Sequence, residues 1–285
     1  MLNIKIEPAA DTASDEYSYE RAKQLAKQHI VLHQYTNFSA LKKIIANRSL
    51  RFTRMDQLND KTENSEIVDL WKKKVYVSCF THRENESYFF WRTYTSRSPD
   101  GIMLSFRSEY LYDLSFYPDE ICAQEAFSKC DRSNYCFDAS LAVDASTWGI
   151  YDYSCVDVMY VPRTMCISKP TNHQGRFKYL EWDSECETRL RLALKPRGKE
   201  FKCNEKGRLV HPFPNNQHIY AKLPDICLRT MTITLSPFAN ENLKSWVEHL
   251  LRSNGLHDSV KVVPSILTNE VSIDDITKHN FCPST

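Results

Sequence analysis

Glycine is scarce in this chain, with 6 among 285 residues. Glycine-rich phosphate loops are therefore missing: there is no P-loop and no GxGxxG. No run of about 18 apolar residues occurs, so no membrane-spanning helix is expected. The opening MLNIKIEPAADTASDEYSYE lacks a basic start followed by an apolar run, so no signal peptide is expected either. Neither charge sign dominates: 37 basic and 36 acidic residues leave a net charge of +1. That excludes a globally basic nucleic-acid binder and leaves room for a local patch. Ten cysteines include no C-x-x-C pair and no His/Cys cluster with zinc spacing, so no metal site is expected. Such thiols read as reduced, in a cytoplasmic protein without a membrane partner.

Hydrophobic residues make up 42% and charged residues 26%, which suits a globular chain with a substantial core. No internal repeat, low-complexity tract or obvious linker divides it. The expected layout is a tail and helix over 1–30, a single domain over 31–265 with an irregular insert at about 107–155, and a polar tail over 266–285. The stretch 31–66 organises the rest. Val31–Thr36 is short, apolar and β-prone, and reads as a buried strand. Asn37 or Ser39 can cap the helix that follows, whose Leu41, Ile44 and Ile45 form a core-facing stripe. Leu50-Arg51-Phe52 reads as a second strand, and Asp56–Asp60 as a turn. Polar residues on a buried strand are costly unless hydrogen-bonded. His33, Tyr35 and Thr36 are thus the first hint of a site.

Further along, Glu16–His29 and Ser65–Lys74 read as helices. Val75–Thr81 reads as a strand, Tyr88–Tyr94 as a turn or two of aromatic helix, and Ile102–Phe106 as a strand. Tyr110–Leu114 has helical character and Val156–Val161 alternates like a strand. In Arg189-Leu190-Arg191-Leu192 the polar and apolar residues alternate as in a half-buried strand. Ile226–Leu235 reads as a strand pair or extended edge, Asn240–Ser253 as an amphipathic helix, and Val260–Val263 as a last strand.

Several groups occur in a telling order: His33-Gln34-Tyr35-Thr36, Leu50-Arg51-Phe52, Leu58-Asn59-Asp60, Ser78-Cys79-Phe80-Thr81, Trp91 with Tyr94, Gly101-Ile102, and Glu185-Cys186-Glu187-Thr188-Arg189. Together they resemble a widespread bacterial domain family of unassigned function, over roughly residues 31–250. That family in turn resembles the ADP-ribosyltransferase superfamily. The chain departs from the family pattern at Lys61, Thr81 and Thr188. The resemblance implies an α+β fold, an ADP-ribosyltransferase-like split antiparallel β-sandwich flanked by helices, with NAD held between two facing sheets.

It also implies roles. Nicotinamide leaves the ribose through a transition state with oxocarbenium character, which a carboxylate stabilises electrostatically. Glu187 takes that role, and Glu185, on the same face if both lie on one strand, orients or deprotonates the acceptor. Two close carboxylates would push one pKa upward, as suits a base. His33 would bond the adenosine-side ribose, Gln34 belongs to the same motif strand, and Thr36 or the strand backbone would hold the nicotinamide amide. Tyr35 would line the cleft or pack in the core. Ser78, with Thr81 in reserve, would supply a hydroxyl near Glu187, and Phe80 shares the Ser78 face. Trp91 and its aromatic neighbours would stack on nicotinamide or a base, or simply form core. Arg51 and Arg54 could meet the pyrophosphate. A patch of Arg92, Arg97, Arg163, Arg176 and Lys178 could attract nucleic acid.

The expected function is transfer of ADP-ribose from NAD, used as a substrate, to a macromolecular acceptor, either nucleic acid (RNA or DNA) or protein. A toxin or phage-defence effector, with an antitoxin as a possible partner, fits that reading. Two alternatives stand beside it: an NAD glycohydrolase, and a non-catalytic binding module on the same fold.

Overall fold

The computed structural model describes residues 21–58, 73–112, 148–163, 175–196, 202–203, 209–210 and 216–269. Residues 1–20, the Asn59-Asp60 turn, most of the Ser65–Lys74 helix, the bulk of the 107–155 insert and the tail beyond 269 lie outside them. Residues 21–26 are helical and lead towards the first strand.

The described elements are β1 (Val31–Asn37), α1 (Phe38–Asn47), β2 (Ser49–Arg54), β3 (Val75–Thr81), α2 (Tyr88–Tyr94), β4 (Gly101–Arg107) and α3 (Ser108–Tyr112). Then come β5 (Trp148–Asp157), β6 (Met159–Val161), β7 (Phe177–Tyr179), a 3₁₀ turn at Leu180–Glu185, and β8 (Glu187–Pro196). The chain continues through β9 (Lys202–Cys203), β10 (Leu209–Val210), β11 (His218–Lys222), α4 (Asp225–Thr230), β12 (Thr232–Leu235), α5 (Leu243–Ser253) and β13 (Lys261–Pro264).

Asn37 is the residue that caps α1: its side chain accepts from the Ala40 amide at 2.9 Å. Leu41, Ile44 and Ile45 point into the core from that helix. The main core joins Leu32, Phe52, Phe106, Leu190, Leu192, Val247 and Leu251, all essentially inaccessible to water. Each such side chain contributes about 1.5–3 kcal/mol of transfer free energy.

The fold is α+β, with a large, mostly antiparallel sheet and several helices. Instead of two separate facing sheets, the described residues form one nine-stranded sheet and two two-stranded ribbons. The order is β11-β2-β3-β1-β4-β12-β13, with β8 on β3 and β5 on β8. Two pairings are parallel, β12 with β13 and β6 with β7.

The sheet is nonetheless split. β1 runs along the whole of β4, yet meets β3 at a single pair, His33 and Thr81. β2 meets β3 only through Thr53 with Val77 and Arg54 with Tyr76. Between those contacts one edge of β3 is open, while its other edge pairs with β8 along its full length.

Two more expectations need correcting. Ile226–Leu235 is a helix, α4, followed by β12 rather than a strand pair. Pro224 and Asp225 start that helix, and an Asp225–Arg229 ion pair one turn apart supports it. The alternation in β8 is real, but its polar face is not in water: Arg189 and Arg191 are each 1% exposed. Both are neutralised inside the protein, Arg189 by Glu187 and Arg191 by Asp152.

Candidate functional site

The open edge of β3 borders a cleft of about 410 Å³, within the usual range for small-ligand sites. His33, Gln34, Tyr35, Thr36, Arg51, Ser78, Phe80, Thr81, Glu185 and Glu187 all line it. Trp91 does not. It is completely buried, because α2 packs its inner face on β1, with the Trp91 ring edge-on to Tyr35 at 4.8 Å. Its indole N–H donates to Glu86 at 3.1 Å. Trp91 therefore backs Tyr35 and has no face free for a ligand.

Register explains why distant residues meet here. His33 pairs with Thr81, and Thr81 pairs with Glu187. The three form one row across β1, β3 and β8, so His33 and Glu187 stand two strand spacings apart, about 10 Å. Thr81 is the vertex of the split. Its hydroxyl donates to the Glu185 carbonyl at 2.7 Å and so fixes the segment carrying both glutamates. Thr81 and Cys79 share the Glu187 face, whereas Ser78 shares the opposite, core-side face with Phe80. Thr81, rather than Ser78, is thus the hydroxyl next to Glu187 in the sheet. Ser78 is 3.5 Å from the side-chain amide of Gln34, which also donates to the Cys79 carbonyl at 3.2 Å. Gln34 thereby bridges the split where β1 and β3 diverge.

Glu185 and Glu187 are not on one strand. Glu185 ends the 3₁₀ turn, Cys186 adopts a left-handed φ of 43°, and β8 begins at Glu187. Lys178 on β7 joins the two carboxylates, with its ammonium 2.5 Å from Glu185 Oε2 and 2.9 Å from Glu187 Oε2. Arg189 grips Glu187 through two nitrogens, at 2.7 and 3.0 Å. Arg189 also donates to the Gly175 carbonyl at 3.1 Å. Gly175 has φ +80°, and a Cβ there would meet Met55 Sδ at 3.0 Å, so the position suits glycine on two counts. The second Glu185 oxygen accepts from the Tyr94 hydroxyl. Two cations and two anions make the cluster neutral overall.

These partners decide the electrostatics. Burial alone would raise the Glu187 carboxyl, but Arg189 and Lys178 outweigh it and hold the group well below the usual carboxylate range. The expected raised carboxyl is therefore not Glu187, which is a fixed anion rather than a proton acceptor. Glu185 already has a donor on each oxygen. Burial pushes the Cys79 thiol far above its ordinary range, with the Glu187 charge adding to it, so Cys79 is not a ready nucleophile. Across the row, burial lowers His33 to about 4 despite Glu86 pulling upward, so the imidazole is neutral at neutral pH. Its Nδ1 lies 2.7 Å from Ser105 Oγ.

Arg51 and Lys43 also line the cleft; both are exposed, and neither has an ion-pair partner among the described residues. Arg54, by contrast, is clamped in the protein by Asp56 at 2.6 and 3.0 Å and by the Asn216 carbonyl. The expected basic patch does not form either: Arg176 and Lys178 are buried, and Arg163 pairs with Glu181. Sequence reasoning placed Lys178 in a basic patch and Tyr94 in an aromatic motif, and missed that both contact Glu185. Arg189 left a signal, since position i+2 on a strand shares the face of Glu187. Lys178 left none, because its approach depends on β7.

No protein-family model, curated protein or solved structure matches the chain. Among the described residues no helix is long and apolar enough to cross a membrane.

Proposed function

We propose that this chain is an NAD-using ADP-ribosyltransferase with a split-sheet fold of that superfamily. What supports the reading is the row His33–Thr81–Glu187, which lines a cleft that opens within the sheet. It sets a neutral imidazole and a carboxylate ionised at neutral pH on strands about 10 Å apart. In the reaction the bond between ribose C1 and nicotinamide breaks, and nicotinamide leaves with the bonding pair. An acceptor nitrogen or oxygen then bonds C1 and gives up its proton. Glu187 accepts a hydrogen bond from a ribose hydroxyl and faces the developing positive charge. His33 offers a nitrogen to the other ribose, and Arg51 with Lys43 meets the diphosphate. The acceptor is a macromolecule, nucleic acid or protein, and its proton goes to water or to the acceptor's own surroundings, since both glutamates are held by cations. A toxin or phage-defence role in the cytoplasm, with an antitoxin as partner, accords with that chemistry.

One observation favours a second reading. Glu187 is already neutralised by Arg189 and Lys178, which would suit a nucleotide-binding module that does not turn NAD over. Nicotinamide release from NAD by the purified chain, alone and with RNA, DNA or protein, separates the readings. The transferase requires release that rises with one added acceptor and falls at least about a hundredfold in Glu187→Gln. Equal release with no acceptor would make it a glycohydrolase. Saturable NAD binding without release would leave the binding module, and neither binding nor release would sink both.

A further inference from the structure

On the face of β8 opposite Glu187, three groups with metal-ligand chemistry converge. His29 stands just ahead of β1, His82 directly after β3, and Asp157 ends β5. One donor atom from each lies within 4.8 Å of the other two. His29 Nε2 is 2.7 Å from Asp157 Oδ2, and His82 Nδ1 is 3.8 Å from Asp157 Oδ1. Metal–ligand bonds of about 2.0–2.2 Å in a tetrahedral set put the donor atoms roughly 3.4 Å apart. The two separations, each to a different Asp157 oxygen, lie either side of that value, and the set closes once the rings turn out of their parallel stack.

The two imidazole rings stack 3.9 Å apart and within 4° of parallel, and their in-plane lone pairs can meet at one ion once the rings turn out of that stack. Two further features hold the groups in place. Asp157 is buried, and its Oδ1 accepts from the Thr188 hydroxyl at 2.6 Å. The same hydroxyl is 2.9 Å from His82 Nδ1, the nitrogen turned towards Asp157, so an ion bound there takes the place of that contact. The backbone at His29 is fixed as well, its carbonyl accepting from the Ser108 hydroxyl.

We propose that His29, His82 and Asp157 bind one divalent transition-metal ion of the zinc type. Two imidazoles and a carboxylate suit that class and not magnesium or calcium, which prefer all-oxygen shells. The ion replaces the His29–Asp157 and His82–Thr188 hydrogen bonds, whose protons pass to the other ring nitrogens or to solvent, and water fills the remaining position. Its place in the fold gives it a task. His82 follows Thr81 and Thr188 follows Glu187, so the ion ties together the strand ends at the vertex where the sheet splits. It also pins the segment around residue 29 to that vertex. The site stands whether or not the cleft turns over NAD.

Chelator-stripped, tag-free protein titrated with zinc by calorimetry, and with cobalt by visible absorption, tests the proposal. One equivalent should bind per chain. Its cobalt spectrum should show d–d bands without a thiolate charge-transfer band, and melting should shift upward with zinc. Asp157→Asn, close to isosteric, and His29→Ala should each weaken binding at least about tenfold. Circular dichroism checks that the variants are folded. If neither folds, the wild-type cobalt spectrum alone decides between nitrogen–oxygen and thiolate ligation. No binding up to millimolar zinc, undiminished binding in both folded variants, or a thiolate band pointing to the cysteines would each overturn it.

Discussion

The two lips of the cleft bury one titratable group each, in the same cross-strand row, and the outcomes are opposite. On β1, His33 loses its charge to burial, because Glu86 is its only resolved electrostatic support. On β8, Glu187 keeps its charge against burial, because Arg189 and Lys178 are both within 3.0 Å. Desolvation is common to both sites. The partners in direct contact decide which charge survives, and this sets one lip neutral and the other anionic. The comparison also separates two jobs that a carboxylate pair might share. A carboxylate held by two cations can accept hydrogen bonds and oppose a developing cation, but it cannot take up a proton at neutral pH.

The most forceful way to break the contrast is to remove the support on the anionic lip. Arg189→Met leaves Glu187 buried with Lys178 as its remaining cation. An uncompensated buried charge costs about 3–5 kcal/mol. Urea unfolding at neutral pH should show a loss of that order. Arg191→Met, on the same strand and equally buried, should cost less, since its partner Asp152 is 24% exposed and can be rehydrated. Equal losses at the two positions would mean that the Glu187 pair has no special standing.

Acid separates the lips by pH window. The His33 pKa falls from 6.5 unfolded to about 4 folded. The unfolded chain therefore binds that proton first, and the stability present above about 6.5 is lost as pH falls towards 4. A shift of that size corresponds to about 3 kcal/mol. Burial also lowers His82 and His218, so the total slope belongs to all three groups. The difference in slope between the natural chain and His33→Phe isolates the β1 lip. Glu187 acts lower: its folded pKa is depressed, so its contribution is complete above about 4.5 and is lost as pH falls further. If His33→Phe leaves the slope between pH 6.5 and 4 unchanged, His33 is not the neutral group described here.

Much of this architecture was legible in the sequence, for reasons that can be named. The β1–α1–β2 run carries its own cap at Asn37 and its own helical stripe at Leu41, Ile44 and Ile45. Strands β3, β4 and β8 announce themselves by alternation or β-branched runs. The candidate site was legible as far as it lies on those strands, at His33, Thr81 and Glu187. What lay hidden depends on register and on contacts between distant segments. Trp91 reads either as a stacking ring or as core until α2 is seen to turn it inward. Lys178 reads as surface charge until β7 brings it between two glutamates. Asp157 lies 128 residues from its hydrogen-bond partner His29, and no local spacing encodes that meeting. The arginines of β8 misled in the other direction: alternation reports that two faces differ, not that one of them is wet.

The finest test acts on the neutral lip without touching its charge. Ser105 faces His33 across the β1–β4 pairing, and its hydroxyl is 2.7 Å from Nδ1. If that hydroxyl donates, Nδ1 is the acceptor and the ring proton sits on Nε2, the nitrogen left for a ligand. Ser105→Ala removes the partner and should cost only about 1 kcal/mol in urea unfolding. The sharper readout is the ring itself. Nitrogen chemical shifts should show a predominantly Nε2–H tautomer in the natural chain and a mixture in the variant. A predominantly Nδ1–H ring in the natural chain would reverse the assignment. His33 would then present an acceptor, not a donor, to whatever occupies the cleft, and would bond the hydroxyl of a ribose through that hydroxyl's own proton.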